Sequence, residues 1–395
     1  MKKITLLFIA SSLLIGCGGD DNSKDFSISE DSYAVQMVAA DYTSSQVAVG
    51  SQNSERTAEQ GLLIQDKSNF TISTFNNILY HIGKKDIDTL DKYNALSSLQ
   101  KSETSHSVND NGEGSSNTYT LIQQYNNNAY LIRYGSTTIM QIDPISATIK
   151  GYIDLSAYTF EGADFPRMVD AKVVDNKLFV ALQRLGADWS KQQAYVAVID
   201  LATNLEIDTN PQLDGLKGIP LTGTNPFTVE THNGQIYVAG RGGYDSDTGA
   251  LDKIHATTYA VTNLINNTSF PSLIDFSDDE DASNDTYYHV LDVAVVSDQL
   301  AYATLNLEQG YTTLETKIAT INPTTGMIAL LSEPAELNSK EISDINIDTN
   351  DRLWLGISNS DAPGIFVMDT DTNTINGDFI DLDMPAKRIE FLTVQ

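Results

Sequence analysis

The chain has 395 residues, a single cysteine and a formal charge of −29, with 53 acidic residues against 24 basic ones. That balance excludes a nucleic-acid binder and argues against adhesion to an anionic surface, since polyanions are held by clustered cations. With one cysteine there is no intramolecular disulfide framework, and a chain this long can bury a sufficient core without one.

The first seventeen residues read MKKITLLFIASSLLIGC. Lys2 and Lys3 form a basic start, and Ile4 to Ile15 form an apolar stretch. A bilayer span takes about twenty apolar residues, so this stretch is too short to cross and fits the h-region of a secretory signal. It ends in Leu14-Ile15-Gly16-Cys17, which resembles the lipobox of bacterial lipoproteins. The resemblance implies a signal peptide over 1–16 and acylation of Cys17, by palmitate or similar chains, as the first mature residue. Gly18 in place of Asp after the cysteine implies sorting to the outer membrane. Several acyl chains anchor stably where one binds only marginally. Residues 17–32 are polar and acidic and read as a flexible tether. Removal of Lys2 and Lys3 leaves 22 basic and 53 acidic residues, a charge of −31.

From residue 33 onward, short β-branched and aromatic runs alternate with Asn, Asp and Gly, the pattern of an all-β protein. One run recurs: a turn with Asn or Asp, then apolar-aromatic-apolar. It appears at 31–39, 76–84, 127–135, 175–184, 233–241, 298–306 and 351–359. Aligned on Tyr33, Tyr80, Tyr130, Phe179, Tyr237, Ala301 and Trp354, the copies stand 47, 50, 49, 58, 64 and 53 residues apart. Seven copies at this spacing predict a seven-bladed β-propeller over 33–395, one four-stranded blade each.

A second element follows, an apolar strand closed by Asp or Asn and a turn: MQIDPISATI (140–149), AVIDLATNLEI (197–207), ATINPTTGMI (319–328) and FVMDTDTNTI (366–375). Such side chains accept the N–H two residues on, so Asp369, Asp371 and Asn373 read as turn chemistry and not as calcium ligands. The pair LFVAL…YVAVIDLATNLEI resembles the YVTN-type propeller family over residues 33–395. In blades two to seven a strand precedes the anchor, as in FTISTFNN (70–77) and ISDINIDTND (342–351), but none precedes Tyr33. AKRIEFLTVQ (386–395) is left over and is expected to supply blade one's inner strand, closing the ring without a free edge.

A propeller offers its ligand site at one mouth of the central channel. The loops from second to third strands place there Lys84, Arg133 with Tyr134, Gln183 with Arg184, Arg241, Asn306, and Asn359 with Asp361. The connections between blades add Phe160, Phe165 and Arg167, then Asn225 and Phe227, then Tyr287, Tyr288 and His289. Lys84, Arg133, Arg184 and Arg241 align as equivalent positions of successive blades. Guanidinium forks suit carboxylate or phosphate, and aromatic faces suit a planar or bulky ligand. The candidate ligand-binding set is therefore Lys84, Arg133, Tyr134, Arg184, Arg241, Tyr287, Tyr288 and His289, for a small anionic molecule. The competing reading has the arginines bridging blades through the abundant acids.

The loop at 242–256 carries Asp245, Asp247 and Asp252 at alternating spacing with Gly249, a candidate calcium site that lacks the terminal Glu of the full loop pattern. The acidic run 278–281 reads as a solvated loop, and 101–118 as a surface excursion. No two histidines are spaced as a zinc pair, and His81 reads as a packed core residue. No nucleophile elbow, phosphate loop, dinucleotide fingerprint or haem-attachment motif occurs.

With no catalytic signature, the chain reads as a binder rather than an enzyme. Its architecture is similar to lipid-anchored propellers that catch cobalamin for TonB-dependent transporters. That similarity implies capture of a nutrient, a cofactor, siderophore or similar, beside an outer-membrane transporter, and carries no ligand identity. Two alternatives stand: a metal-dependent enzyme of lyase or lactonase type, with His289 and Asp361 converging, and an envelope interaction scaffold. An Arg/Tyr-lined funnel would favour capture, a His/carboxylate cluster catalysis, and a plugged channel the scaffold.

Overall fold

The recurring aromatic runs become the second strands of seven antiparallel sheets arranged as propeller blades. Each blade is packed between two others, so its strands are apolar on both faces instead of alternating. Lys177–Leu182, for example, buries every residue but its first. A computed structural model describes residues 31–392 except 54–55, 76–77, 95–98, 102–104, 110–114, 125–126, 213–214, 244–248, 276–284, 311 and 333. The signal peptide, Cys17, nearly all of the tether and the acidic run 278–281 lie outside the described residues.

From blade two to blade seven the inner strands are Phe70–Phe75, Thr118–Gln124, Met168–Val174, Pro226–His232, Thr286–Ser297 and Ile342–Ile347. The inner strand of blade one is Ala386–Leu392, which pairs antiparallel with Ser32–Val38, Val35 opposite Ile389 and Tyr33 opposite Phe391. The two chain ends thus close the ring. Ile389 and Ala386 are buried beside Tyr33, Val35 and Trp354, so the C-terminal strand is core.

The aromatic of each second strand packs on the residues flanking the equivalent position in the next blade. Tyr80 meets Ala129 and Leu131, Tyr130 meets Leu178 and Val180, and Phe179 meets Ile236 and Val238. This register corrects two anchors. In blade six the equivalent of these aromatics is Tyr302, packed on Leu353 and Leu355, and not Ala301. In blade one it is Ala34, which joins Leu79 of blade two, while Tyr33 faces back to Trp354 at 4.7 Å. A one-residue slip turns a side chain to the opposite face of its sheet, which is why both misalignments matter.

The turns after the third strands form as expected. Asp143 Oδ1 accepts the N–H groups of Ile145 and Ser146, and Asp369 Oδ1 those of Asp371 and Thr372. These bonds hold the Asp143 carboxyl down to about 2 and lower that of Asp369. His81 is buried and stacks on Phe70 at 4.6 Å.

Inner strands are riveted to one another by carboxylates. Asp170 Oδ2 accepts the N–H of Val229 (2.8 Å), Asp292 Oδ2 that of Ile345 (2.9 Å), and Asp344 Oδ2 that of Ile389 (2.9 Å). Each sits where its strand's register shifts, so a bulge aims the side chain sideways into the next blade.

Candidate functional site

The inner strands surround a cavity of about 600 Å³ that opens at the end where they begin. Charged side chains line it: Lys84, Lys172, Lys387 and Arg388 against Asp170, Glu230, Asp292, Glu341, Asp344 and Glu390. Strand position sorts them by depth. Lys172, Glu230 and Glu390 lie well inside, and there the charges pair: Lys172 Nζ with Glu230 at 2.9 Å, and Arg388 Nε with Glu390 at 2.6 Å. Burial opposes the Arg388 charge, but Glu390, Asp170 and Asp344 outweigh it and raise its pKa. Burial likewise pushes the Asp344 carboxyl well up, with Asp292 adding like-charge repulsion, and it raises Asp170 and Asp292.

The mouth is different. Lys84 directly follows the second strand of blade two, Ile78–Gly83, and Lys387 is the second residue of the closing strand. Among the described residues neither ammonium has an ion pair. Burial lowers the Lys84 pKa, and the nearby Arg388 and Lys387 charges lower it further. Burial also lowers Lys387, which Glu341 partly offsets. The Lys387 charge disfavours that of Lys84, and Glu341 favours that of Lys387, at one mouth. Aromatic walls flank it: Phe70 and Tyr119 on one side and the exposed Tyr42 on the other. A second hollow of about 220 Å³ adjoins the mouth and shares Tyr42, Glu341 and Lys387.

Of the candidate ligand-binding set, Lys84 alone lines this cavity; of the other mouth residues expected from sequence, Phe227 and Asn306 also line it. Backbone bonds explain why. The N–H groups of Lys84, Tyr134, Gln183, Arg241 and Ser358 each donate to the carbonyl of the residue just before their own blade's inner strand. Those five positions are equivalent; Arg133 precedes the register by one residue and Arg184 follows it by one. Arg133 is fully buried, with its guanidinium on the Thr138 carbonyl and over the Tyr152 ring. Arg184 donates to the carbonyls of Tyr158 and Gln193. Arg241 keeps the register but pairs with Glu308 at 2.6 Å, the blade-bridging role that was the competing reading.

Tyr287, Tyr288 and His289 lie inside a strand and not in a loop, all fully buried. The His289 ring nitrogens face the Arg241 carbonyl oxygen and, at 3.0 Å, Glu308. Tyr287 donates to Gly310 O and Tyr288 to Asn266 O. Asp361 is exposed and does not line the cavity with His289. Tyr134 reaches the rim, stacked on the cavity-lining Tyr119.

Asp245 and Asp247 lie outside the described residues. Asp252 is removed from the calcium reading: it sits in the strand Ala250–His255, and its oxygens accept from Thr222, Gly223 and Asn263. Gly249 is explained by packing, since a Cβ there would meet Val290 N at 2.2 Å. Among the described residues no three His, Cys, Asp or Glu side chains are grouped to hold a metal.

Missed by sequence reasoning were Lys387, Arg388 and the carboxylate ring. Lys387 and Arg388 sit in the strand already recognised as ring-closing, and placing that strand innermost was the signal that could have found them.

No protein-family model and no curated protein matches the sequence. Solved structures do match in fold. A Lactobacillus plantarum protein aligns with a TM-score of 0.61 and 13% identity over 92% of this chain and 100% of its own. Proteins from Bacteroides uniformis and Bacteroides fragilis, provisionally described as 6-phosphogluconolactonases, each align with a TM-score of 0.57 and 12% identity over 92% and 93% of this chain and all of their own. At such identities the likeness shows the β-propeller fold alone.

Proposed function

We propose that this protein is a lipid-anchored capture propeller of the outer membrane. On this reading Cys17 carries the anchor, and the channel mouth holds a small organic anion for delivery to a TonB-dependent transporter. The single observation behind the ligand class is the pair Lys84 and Lys387 at the mouth, neither in an ion pair among the described residues, with Glu341 the carboxylate near Lys387. Deeper charges are mutually paired and give the cavity a polar floor, which suits a ligand carrying hydroxyls or amides as well as an acid.

A thermal-shift screen of organic carboxylates and phosphate esters tests the reading. A ligand at a hundred times its Kd adds about 2.7 kcal/mol, a rise of roughly 4 °C in Tm for a domain this large. Anions should shift the protein, and matched neutral or cationic compounds should not. Equal shifts across all three classes, or none, would count against the proposal. Cys17→Ser should release the protein from the membrane fraction.

A second reading is an enzyme acting on such an anion, as the description of the Bacteroides proteins suggests. Asp344 favours it: the carboxyl lines the cavity, and burial pushes it toward the protonated form a general acid needs. Acid release from a phosphorylated aldonolactone that is lost in Asp344→Asn would support this reading, and no release above the uncatalysed rate would dismiss it.

A further inference from the structure

Three residues of the 220 Å³ hollow, Tyr42, Glu341 and Lys387, also line the channel mouth. They surround one space small enough for a single ligand head to reach all three. Glu341 sits just before the inner strand of blade seven, the rim position held by Asn69, Asn117, Arg167 and Asn225 in blades two to five. Its backbone is engaged on both sides: the N–H donates to Asn359 Oδ1 at 2.8 Å, and the carbonyl accepts from the Ser358 N–H at 2.9 Å. Its carboxylate makes no hydrogen bond or ion pair among the described residues, and neither does the Lys387 ammonium. Yet the Glu341 charge acts on Lys387, so the two stand close without joining.

Tyr42 belongs to the turn between the strands Ser32–Val38 and Ser45–Ser51 of blade one. The turn is fixed by its own bonds. Ala39 N–H donates to the Ser44 carbonyl at 3.0 Å, and Asp41 Oδ1 accepts from the backbone and the hydroxyl of Thr43 at 3.1 and 2.8 Å. Tyr42 itself is 66% exposed and takes φ +58°, a conformation that Gly or Asn adopts more readily. Among the described residues no cation of the chain lies over its ring, so the aromatic face is open to a cation from outside.

Opposite charges on one hollow, near each other and not joined, suit a molecule that carries both signs close together. The head of an α-amino acid does so, with its ammonium and carboxylate on one carbon. We infer that the hollow is the head-group subsite of an acidic amino acid, with Glu341 and the Tyr42 ring receiving its ammonium, Lys387 its α-carboxylate and Lys84, in the adjoining cavity, its second acid. Two acids and one ammonium are the complement of two lysines and one glutamate. Such a ligand keeps one net negative charge, so the inference rests on the anion-binding reading above and specifies the molecule it takes.

Calorimetric titration of the protein with L-glutamate, N-acetyl-L-glutamate and glutarate separates the inference from the reading beneath it. All three probes carry two acids at similar spacing, and only the first carries an ammonium. L-Glutamate is expected to bind roughly tenfold more tightly than the other two. Attraction to positive charge alone predicts the reverse order, because the other two are the more negative. Glu341→Gln keeps the backbone bonds and the side-chain size; it should weaken L-glutamate roughly tenfold and leave glutarate no weaker. Tyr42→Asn should weaken L-glutamate about threefold and hold its Tm, because Asn accepts the turn's conformation. If glutarate binds as tightly as L-glutamate, or Glu341→Gln weakens all three probes equally, the head-group subsite is overturned while anion capture stands. If none of the three binds, the acidic amino acid is overturned, and anion capture is then decided by the thermal-shift screen.

Discussion

Ile389→Ala probes the way the ring closes. Ile389 is 1% exposed in the C-terminal strand, against Tyr33, Val35, Trp354, Ile365 and Val367. The change deletes three buried carbons, worth about 0.8 kcal/mol each in transfer. Incomplete collapse of the hole adds a cavity contribution, and measured Ile→Ala costs in cores run from about 2 to 5 kcal/mol. A loss of about 3.5 kcal/mol is expected. With an unfolding entropy near 2.1 cal/mol/K per residue over roughly 350 residues, that is a fall of about 5 °C in Tm. The control is Ile149→Ala on the outer strand of blade three, where Ile149 is 48% exposed and its removal should cost under about 0.5 kcal/mol. Scanning calorimetry or urea unfolding at constant m measures both. If Ile389→Ala costs no more than Ile149→Ala, the C-terminal strand is an appendage and the closure is wrong.

Two further outcomes follow from the same packing. The buried carboxyls of Asp170, Asp292 and Asp344 have pKa values above those of an unfolded chain, so the folded state holds more protons. Their contribution is fully present below the ordinary carboxylate range and is lost as pH rises through the folded values. Stability should therefore fall from mildly acidic pH toward pH 8, and Asp344→Asn should flatten that slope; a urea midpoint that rises steadily over this range would contradict it. Arg241→Ala leaves Glu308, whose side chain is 4% exposed, without its guanidinium and should cost roughly 3 kcal/mol while anion affinity stays unchanged. A selective loss of affinity at full stability would return Arg241 to the ligand site.

The fold was legible because its determinants are local and repeated. A turn residue followed by an apolar-aromatic run marks every second strand, and Asp143, Asp200 and Asp369 mark the turns by side-chain bonds that need no tertiary partner. The site was less legible because it depends on register. Arg133 and Arg184 differ by one residue from the rim position of Lys84, and one residue in a strand decides between channel and blade interior. Tyr287, Tyr288 and His289 were placed in a loop because the hairpin of blade six is unusually long, its first two strands running Thr286–Ser297 and Leu300–Gln309. Asp170, Asp292 and Asp344 point into neighbouring blades through bulges, which no alternation pattern announces. Arg388 meets Asp170 only after 218 residues of chain have come round the ring.

The central claim is that Lys84 and Lys387 make the channel mouth an anion site. The most direct test is calorimetric titration of the strongest anion from the thermal-shift screen into the wild type and Lys84→Met/Lys387→Met, at low and physiological salt. The account predicts at least tenfold weaker binding in the double variant, with its Tm unchanged or raised because two repelling buried charges are gone. It also predicts that salt weakens the wild type more than the variant. Equal affinity in both proteins at both salt concentrations would contradict it.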